Sequence, residues 1–418
     1  MHTLTAIANF MLPVLALTLV VLWAGLSAYL VVAGRRARHH ASVVSRTIAE
    51  LRRIEASGAM PELQVRELAQ LAARIERVTI LRLATALPDR SPASEIFARS
   101  ATTHHTLDWF VQQASASRSP RANWRRISAL RLLAQQGYSG IVPLLGQAVA
   151  DPDSEIVGAA LAILGRTPDM KAAEILVNAL KAGQYAPSRV ATYLDQFPLP
   201  LTALLRPLLQ HSEPNVRYWA VTLLAKYHDT PGLDVELRAL TADAMPLVRR
   251  AAIASLARVS IAAAVDAARR MLNDPVWYVR AHAARALAEA QDPDLADAVA
   301  PLLADREWWV RTAAKDALQR MGPEVWSALV PYLDHGDPFA RNGAAEVLQN
   351  IGILDSLIVL EAATAKPSPT KIEMLKKIAS AGGTRMTEAL LDRVDQHTRP
   401  RVRALLASLG LETAGASL

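Results

Sequence analysis

The sequence contains no cysteine. That absence excludes disulfides, thiolate catalysis and cysteine-bound zinc, and it is compatible with a reducing compartment without requiring one. Aromatic residues are scarce, 5% of the chain against 51% hydrophobic residues overall. The apolar mass is therefore aliphatic, with alanine and leucine prominent, and both residues cost little to place in a helix. Phosphate-cradling glycine motifs are missing, since neither G-x-x-x-x-G-K nor G-x-G-x-x-G occurs. The run GYSG, Gly137 to Gly140, is one residue short of a nucleophile elbow. The adjacent pairs His39-His40 and His104-His105 would point about 100° apart on a helix and would not chelate as an i, i+4 pair does. With no nucleophile–base pair and no metal cluster, the expectation is no catalysis, no cofactor and no small-molecule substrate.

Charge is missing from one stretch altogether. Residues 1–34 carry no Asp, Glu, Lys or Arg, and the run FMLPVLALTLVVLWAGLSAYLVVAG extends from Phe10 to Gly34. As a helix it is long enough to cross a hydrocarbon core of about 30 Å. Pro13 lies near its start, where a missing N–H is tolerated. A cleaved signal peptide would carry positive charge before a shorter apolar core, whereas here Arg35, Arg36 and Arg38 come after it. A retained anchor spanning 10–33 is therefore expected, with the N-terminus outside and everything after Arg35 cytoplasmic. Residues 35–53 hold six arginines against Glu50, which is +5 of the chain's net +7 and leaves +2 for residues 54–418. Phosphate contact requires clustered positive charge, so the near-neutral body argues against nucleic acid. Topology is a sufficient reason for the basic collar, although anionic headgroups would add about 1 kcal/mol per basic residue.

Residues 35–116 read as a basic juxtamembrane and amphipathic connector. Leu68, Leu71, Ile75 and Val78 predict one helix between Pro61 and Pro88. Val44, Ile48 and Leu51 suggest a shorter helix before it, and Leu107, Phe110 and Val111 a third. These stripes could cap the domain that follows, or pair with another chain over less than three heptads. PDRSPAS at 88–94 is a turn signal, and SASRSP at 115–120 marks the junction to a domain over 117–418.

In that domain the sequence repeats itself. DPVWYVRAHAARAL at 274–287 returns as DREWWVRTAAKDAL at 305–318. Arg217, Arg249, Arg280, Arg311 and Arg341 are 32, 31, 31 and 30 residues apart, with Val216, Val248, Val279, Val310 and Ala340 beside them. Fainter copies pass through Ile127, Val157 and Val190 on one side and Ile372 and Val402 on the other. A fixed period near 31 marks a repeat array. Each unit reads as two helices. In 291–322, DPDLADAVAPLLAD supplies one apolar stripe and REWWVRTAAKDALQRMG the second. Asp caps a helix and Pro suits its first turn, alanines allow close approach, and Gly322, Gly352 and Gly410 end helices. One unit cannot bury its own apolar face, so units must stack. The expected fold is all-α, a right-handed α-solenoid of helix pairs preceded by one transmembrane helix.

The pattern resembles HEAT repeats, in the short form found in phycobilisome lyases and many bacterial proteins. The resemblance covers about 117–412 and is clearest over 205–350. It rests on Asp243 with Arg249, Asp274 with Arg280 and Asp305 with Arg311, each pair six apart. In that family Asp and Arg form a ladder between neighbouring units, and the resemblance implies the same here. The ladder would be imperfect where His211 replaces the Asp before Arg217 and where Asp337 lies only four before Arg341. The period is shorter than the roughly 40–47 residues of long HEAT units, and tetratricopeptide and ankyrin signatures are absent. HEAT-type hydroxylases hold iron through His-Glu pairs, and no His is followed by Glu in this sequence.

The aromatics gather at helix starts. Tyr278, Trp309 and Phe339 stand two residues before the aligned arginine, and Trp277 and Trp308 three before it. Residues in the same register of a solenoid should line one strip. Two readings stay open: packing between adjacent helix starts, or an exposed docking strip, since Trp, Tyr and Arg are enriched at binding hot spots. On the second reading Trp277, Tyr278, Arg280, Trp308, Trp309, Arg311 and Phe339 form a partner-binding surface, with Arg35, Arg36 and Arg38 beside the membrane. The expected function is a membrane-anchored scaffold at the inner face of a bacterial inner membrane. Its partner would be a membrane-associated protein, for example a component of envelope polysaccharide synthesis or secretion. The phycobilisome resemblance implies a bilin lyase or isomerase as the alternative, and a nucleic-acid-binding HEAT protein is a more distant one.

Overall fold

The computed structural model describes residues 2–56, 61–86, 97–102, 107–115, 123–363, 368–382, 391 and 394–408. The side chains before Leu22 lie outside the described residues. Among the described residues every regular element is a helix and there is no strand. The chain divides into two compact units, residues 1–179 with 192–199 and residues 180–191 with 200–418.

The first unit opens with a single helix of 55 residues, His2–Ala56. The separate short helix read from Val44, Ile48 and Leu51 is part of that rod, because no proline or glycine interrupts the chain between Gly34 and Ala56 and arginine is a good helix former. Among the described residues no helix is long and apolar enough to cross a membrane. The side chains of the first half of the predicted span, Phe10 to Val21, lie outside those residues.

The helix predicted between Pro61 and Pro88 is two helices, Pro61–Ala73 and Arg77–Ala86. At the break the Arg74 and Ile75 amides donate to the Leu71 and Ala72 carbonyls at 3.2 and 3.3 Å, a tighter turn than α. The reason lies in the second half. Ile80, Leu81 and Leu83 fall off the stripe of Leu71, Ile75 and Val78, and the reoriented second helix buries all three completely. That helix and Leu107–Ser115 both pack on Asn123–Gln135, with Phe97 and Phe110 also fully buried. Arg77–Ala86 and Leu107–Ser115 thus cover the first helix of the repeat region, while Pro61–Ala73 packs on His2–Ala56. The turn at 88–94, residues 116–120 of the junction and Gly410 lie outside the described residues.

In the second unit the longer helices of successive repeats pack in one row: Pro214–Leu224, Pro246–Val259, Trp277–Ala288, Trp308–Arg320, Pro338–Asn350 and Pro369–Gly382. A helix inside a row is packed on two flanks, and the alanines meet that demand. On Trp277–Ala288, Ala281, Ala283, Ala284, Ala286 and Ala288 are all buried beside Val279 and Leu287. Small side chains on both flanks let helix axes approach to about 8–10 Å. Ser255 adds a polar tie, its hydroxyl donating to the Val221 carbonyl of the neighbouring helix at 3.2 Å.

The shorter helix departs from expectation in three repeats, whereas Leu233–Leu240 and Ile261–Met271 are regular α-helices. The stripe read over 291–304 is a 3-10 turn, Pro293–Leu295, one α turn, Ala296–Val299, and a second 3-10 segment, Ala300–Ala304. Val330–Asp334 and Arg206–Gln210 end their repeats' shorter helices in the same way. Pro207, Pro301 and Pro331 each stand second in that last segment. Proline lacks an N–H and its ring crowds the carbonyl four residues back, so the chain tightens into 3-10 geometry. At the other end of the longer helices, Gly322 adopts φ 99° and ψ −178°, a conformation closed to side-chain-bearing residues. Gly322→Ala is expected to lower stability by about 1–2 kcal/mol. A urea midpoint shifted downward at unchanged slope would register it, and an unchanged midpoint would show that the backbone relaxes there at no cost.

Candidate functional site

Three longer helices of the second unit begin with the same device. Arg280 donates from Nε and Nη2 to both carboxylate oxygens of Asp305 in the next repeat, at 2.7 and 2.8 Å. Arg249 holds Asp274 at 2.7 and 2.8 Å, and Arg217 holds Asp243 at 2.8 and 2.9 Å. The third guanidinium nitrogen, Nη1, turns back to the arginine's own repeat and donates to the carbonyls six and five residues earlier, as from Arg280 to Asp274 and Pro275. The aspartate has two roles as well. Its Oδ1 also accepts the amide two residues on, Met245, Val276 or Glu307, which turns the chain into the next helix. Each pair is a bidentate charge-assisted contact between side chains about nine-tenths buried. Burial alone would raise the Asp305 carboxyl. The Arg280 hydrogen bond, the Glu307 amide and the charges of Arg280 and Arg306 outweigh it and hold the group below the usual carboxylate range. Asp243 is lowered in the same way through Arg217, Met245 and Arg249. Arg217, Arg249 and Arg280 are raised, in each case first by the hydrogen bond to their aspartate.

The first unit holds a rung that the sequence reading passed over. Arg126 is buried, contacts the Asp151 carboxylate through Nη1, and donates from Nε to the Ala114 carbonyl at 3.0 Å. The available signal was the separation of 25 residues, which Arg249–Asp274 and Arg280–Asp305 share. The faint copy at Ile127 sits one residue past this arginine.

The aromatics stand just outside the ladder. Trp277 is 37% exposed, Trp308 57%, Trp309 55% and Phe339 61%, and Tyr278 is half-buried. Their position on the helix explains this. Val279 and Val310 face the core and are fully buried, and a residue two positions earlier lies about 200° around a helix of 3.6 residues per turn. Within one helix start the rings meet edge to face, Trp308 with Trp309 at 4.6 Å and Trp277 with Tyr278 at 5.5 Å. Between neighbouring starts the link is Arg311, whose guanidinium lies 4.4 Å from the Phe339 ring centroid. The structure therefore pairs the sequence-named rings within each helix start and joins the last two starts through an arginine. Arg280, named with them, is buried and engaged by Asp305. Two exposed neighbours were not named, Met245 and Leu247. Leu247 precedes Arg249 by two, the register of Tyr278 and Trp309, which is the signal that could have found it.

Of the residues assigned to the membrane side, Arg35 and Arg38 are exposed, and Arg38 donates from Nε to the Gly34 carbonyl at 3.4 Å. The Arg36 side chain lies outside the described residues. Among the described residues no group of three His, Asp or Glu side chains could hold a metal ion.

The HEAT-repeat family pattern matches residues 107–194 and 233–319. No curated protein matches the sequence. Among solved structures the chain is similar to the CpcE–CpcF complex of phycocyanin lyase from Nostoc sp. PCC7120, with 23% identity over 51% of this chain and 96% of that one and a TM-score of 0.31. It is similar to the karyopherin Kap121p bound to RanGTP, with 14% identity, a TM-score of 0.45 and coverage of 88% of this chain but only 53% of the karyopherin. Human deoxyhypusine hydroxylase is a further similar structure, with 18% identity over 63% of this chain and 100% of that one and a TM-score of 0.26.

Proposed function

We propose that the chain is a membrane-tethered scaffold that holds a protein partner on the exposed aromatics of its repeat helices. One observation carries this reading: Arg249 and Arg280 join neighbouring units through Asp274 and Asp305, while Trp277, Trp308, Trp309 and Phe339 are left facing solvent. Contiguous exposed apolar surface marks interaction sites, and tryptophan and arginine dominate binding hot spots. The tether rests on the uncharged run from Phe10 to Gly34. It is supported by Leu22, Trp23, Leu26, Tyr29, Leu30, Val31 and Val32, which are 47–71% exposed on the helix His2–Ala56. A helix apolar on all sides without protein around it suits lipid, and the arginines that follow favour a cytoplasmic body. A partner that is itself at the inner membrane, such as an envelope polysaccharide synthesis or secretion component, fits a scaffold tethered in this way.

The test is Trp308→Ala with Trp309→Ala in the full chain. The wild-type protein, captured from detergent-solubilised membranes, is expected to retain a specific partner that the double variant loses by about ten-fold or more. Undiminished retention would refute this surface.

A further inference from the structure

The ladder lacks its carboxylate at the rung of Arg311. The residue that should hold Arg311, by the register of Asp243, Asp274 and Asp305, is His335. It keeps the aspartate's local role, since its Nδ1 accepts the Asp337 amide at 3.1 Å, and its ring stacks on Tyr332 with centroids 5.6 Å apart and planes 14° from parallel. It supplies no carboxylate. Arg311 still turns Nη1 back to the Asp305 and Arg306 carbonyls at 2.8 and 3.1 Å. The edge formed by its Nε and Nη2, which in Arg217, Arg249 and Arg280 grips an aspartate, has no acidic partner among the described residues. The same replacement at His211 strands no arginine, because Ala191 occupies the arginine position beside Val190 in the preceding repeat. Of Arg217, Arg249, Arg280 and Arg311, Arg311 alone faces a residue other than aspartate. That guanidinium lies over Phe339 and belongs to the helix that starts with Trp308 and Trp309, and all three rings are exposed.

We infer that Arg311 is the polar anchor of the docking surface, and that it binds a carboxylate of an acidic partner segment whose apolar neighbours rest on Trp308, Trp309 and Phe339. Charge complementarity singles out this occupant: three identical arginines in the same chain are each satisfied by a bidentate carboxylate, and the half-buried Arg311 has none among the described residues. A cationic segment would meet Arg311 and Arg306 as like charges, and a purely apolar one would cover the guanidinium without a partner, which is costly for a buried charge. The inference rests on the docking reading above and adds the chemistry of what docks.

The experiment uses the full chain in detergent. The probe is a short fluorescein-labelled peptide of alternating aspartate and leucine, compared with its asparagine–leucine counterpart by fluorescence anisotropy. The wild-type chain should bind the acidic peptide and discriminate against the amide form. Arg311→Gln should weaken acidic-peptide binding by about ten-fold, the loss of one bidentate charge-assisted contact. His335→Asp should weaken it by at least as much, because the new carboxylate closes the rung from within, and it should raise Tm by about 2 °C or more. Equal binding of the two peptides by the wild type, or acidic-peptide binding that survives Arg311→Gln, would overturn the inference. So would binding by His335→Asp at the wild-type level. The two readings fail separately: if Trp308→Ala with Trp309→Ala loses the membrane partner while His335→Asp keeps it, the docking surface stands and the carboxylate anchor does not, whereas a partner retained by the double tryptophan variant removes the docking surface itself.

Discussion

Asp305→Ala is expected to destabilise the second unit by about 3 kcal/mol, because it leaves the Arg280 guanidinium buried with no countercharge. It also removes the acceptor of the Glu307 amide, so the turn into Trp308–Arg320 loses its local support. The loss should depend on pH in a defined direction. Asp305 and Asp243 titrate below the usual carboxylate value in the folded chain. Below about pH 4, near the value of an unfolded aspartate, the unfolded state therefore binds more protons than the folded one, and stability falls as pH falls. Their contribution is present at neutral pH and is lost as pH drops through the folded-state values. Urea unfolding from pH 7 down to pH 3 should show the wild-type advantage over Asp305→Ala shrinking in the acid range. A cost well under 1 kcal/mol at pH 7, or a constant difference across the range, would mean that the ladder does not join the units.

Removal of residues 1–34 is expected to have an all-or-none effect on location. Apolar residues contribute about 0.3–0.6 kcal/mol each at the centre of a spanning helix, and the run from Phe10 to Gly34 is uncharged throughout. The full chain should stay in the membrane fraction through high salt and carbonate and be released only by detergent, while the shortened chain should be recovered in the soluble fraction. A reporter fused after Leu418 should be active in the cytoplasm. Periplasmic activity would reverse the proposed orientation, and a carbonate-extractable full chain would remove the anchor.

The repeat architecture was legible because it is written at fixed spacing: Val216, Val248, Val279 and Val310 are all buried, and of the residues that the HEAT resemblance singled out Asp243, Asp274, Asp305, Arg249 and Arg280 form rungs while Arg311 does not. Three features escaped for physical reasons. The break at Arg74–Glu76 follows from which face of Arg77–Ala86 must be buried, a tertiary demand that a stripe of four residues does not reveal. The 3-10 segments at Pro207, Pro301 and Pro331 were hidden because an apolar stripe reports burial and not hydrogen-bond register. The state of the aromatics was undecided because helix starts lie at the edge of the buried stripe, where one residue of offset separates core from surface. Val310 on one side of that edge is fully buried and Trp309 on the other is 55% exposed. Arg311 was grouped with Arg280 from sequence, and only the identity of the facing residue, Asp305 for one and His335 for the other, separates a structural arginine from one free to bind.

On the proposed reading the ladder carries the fold while the neighbouring rings carry binding. Thermal unfolding of Trp308→Ala with Trp309→Ala, measured beside Asp305→Ala under the same conditions, tests it without knowledge of the partner. Surface substitutions usually change stability by no more than about 0.5 kcal/mol, so the double tryptophan variant should unfold within about 2 °C of wild type, while Asp305→Ala should unfold about 6 °C or more below it. A double tryptophan variant that falls as far as the rung variant would contradict the claim, because truncating core tryptophans costs about 3–5 kcal/mol each and the strip would then be part of the packing that holds the repeats together.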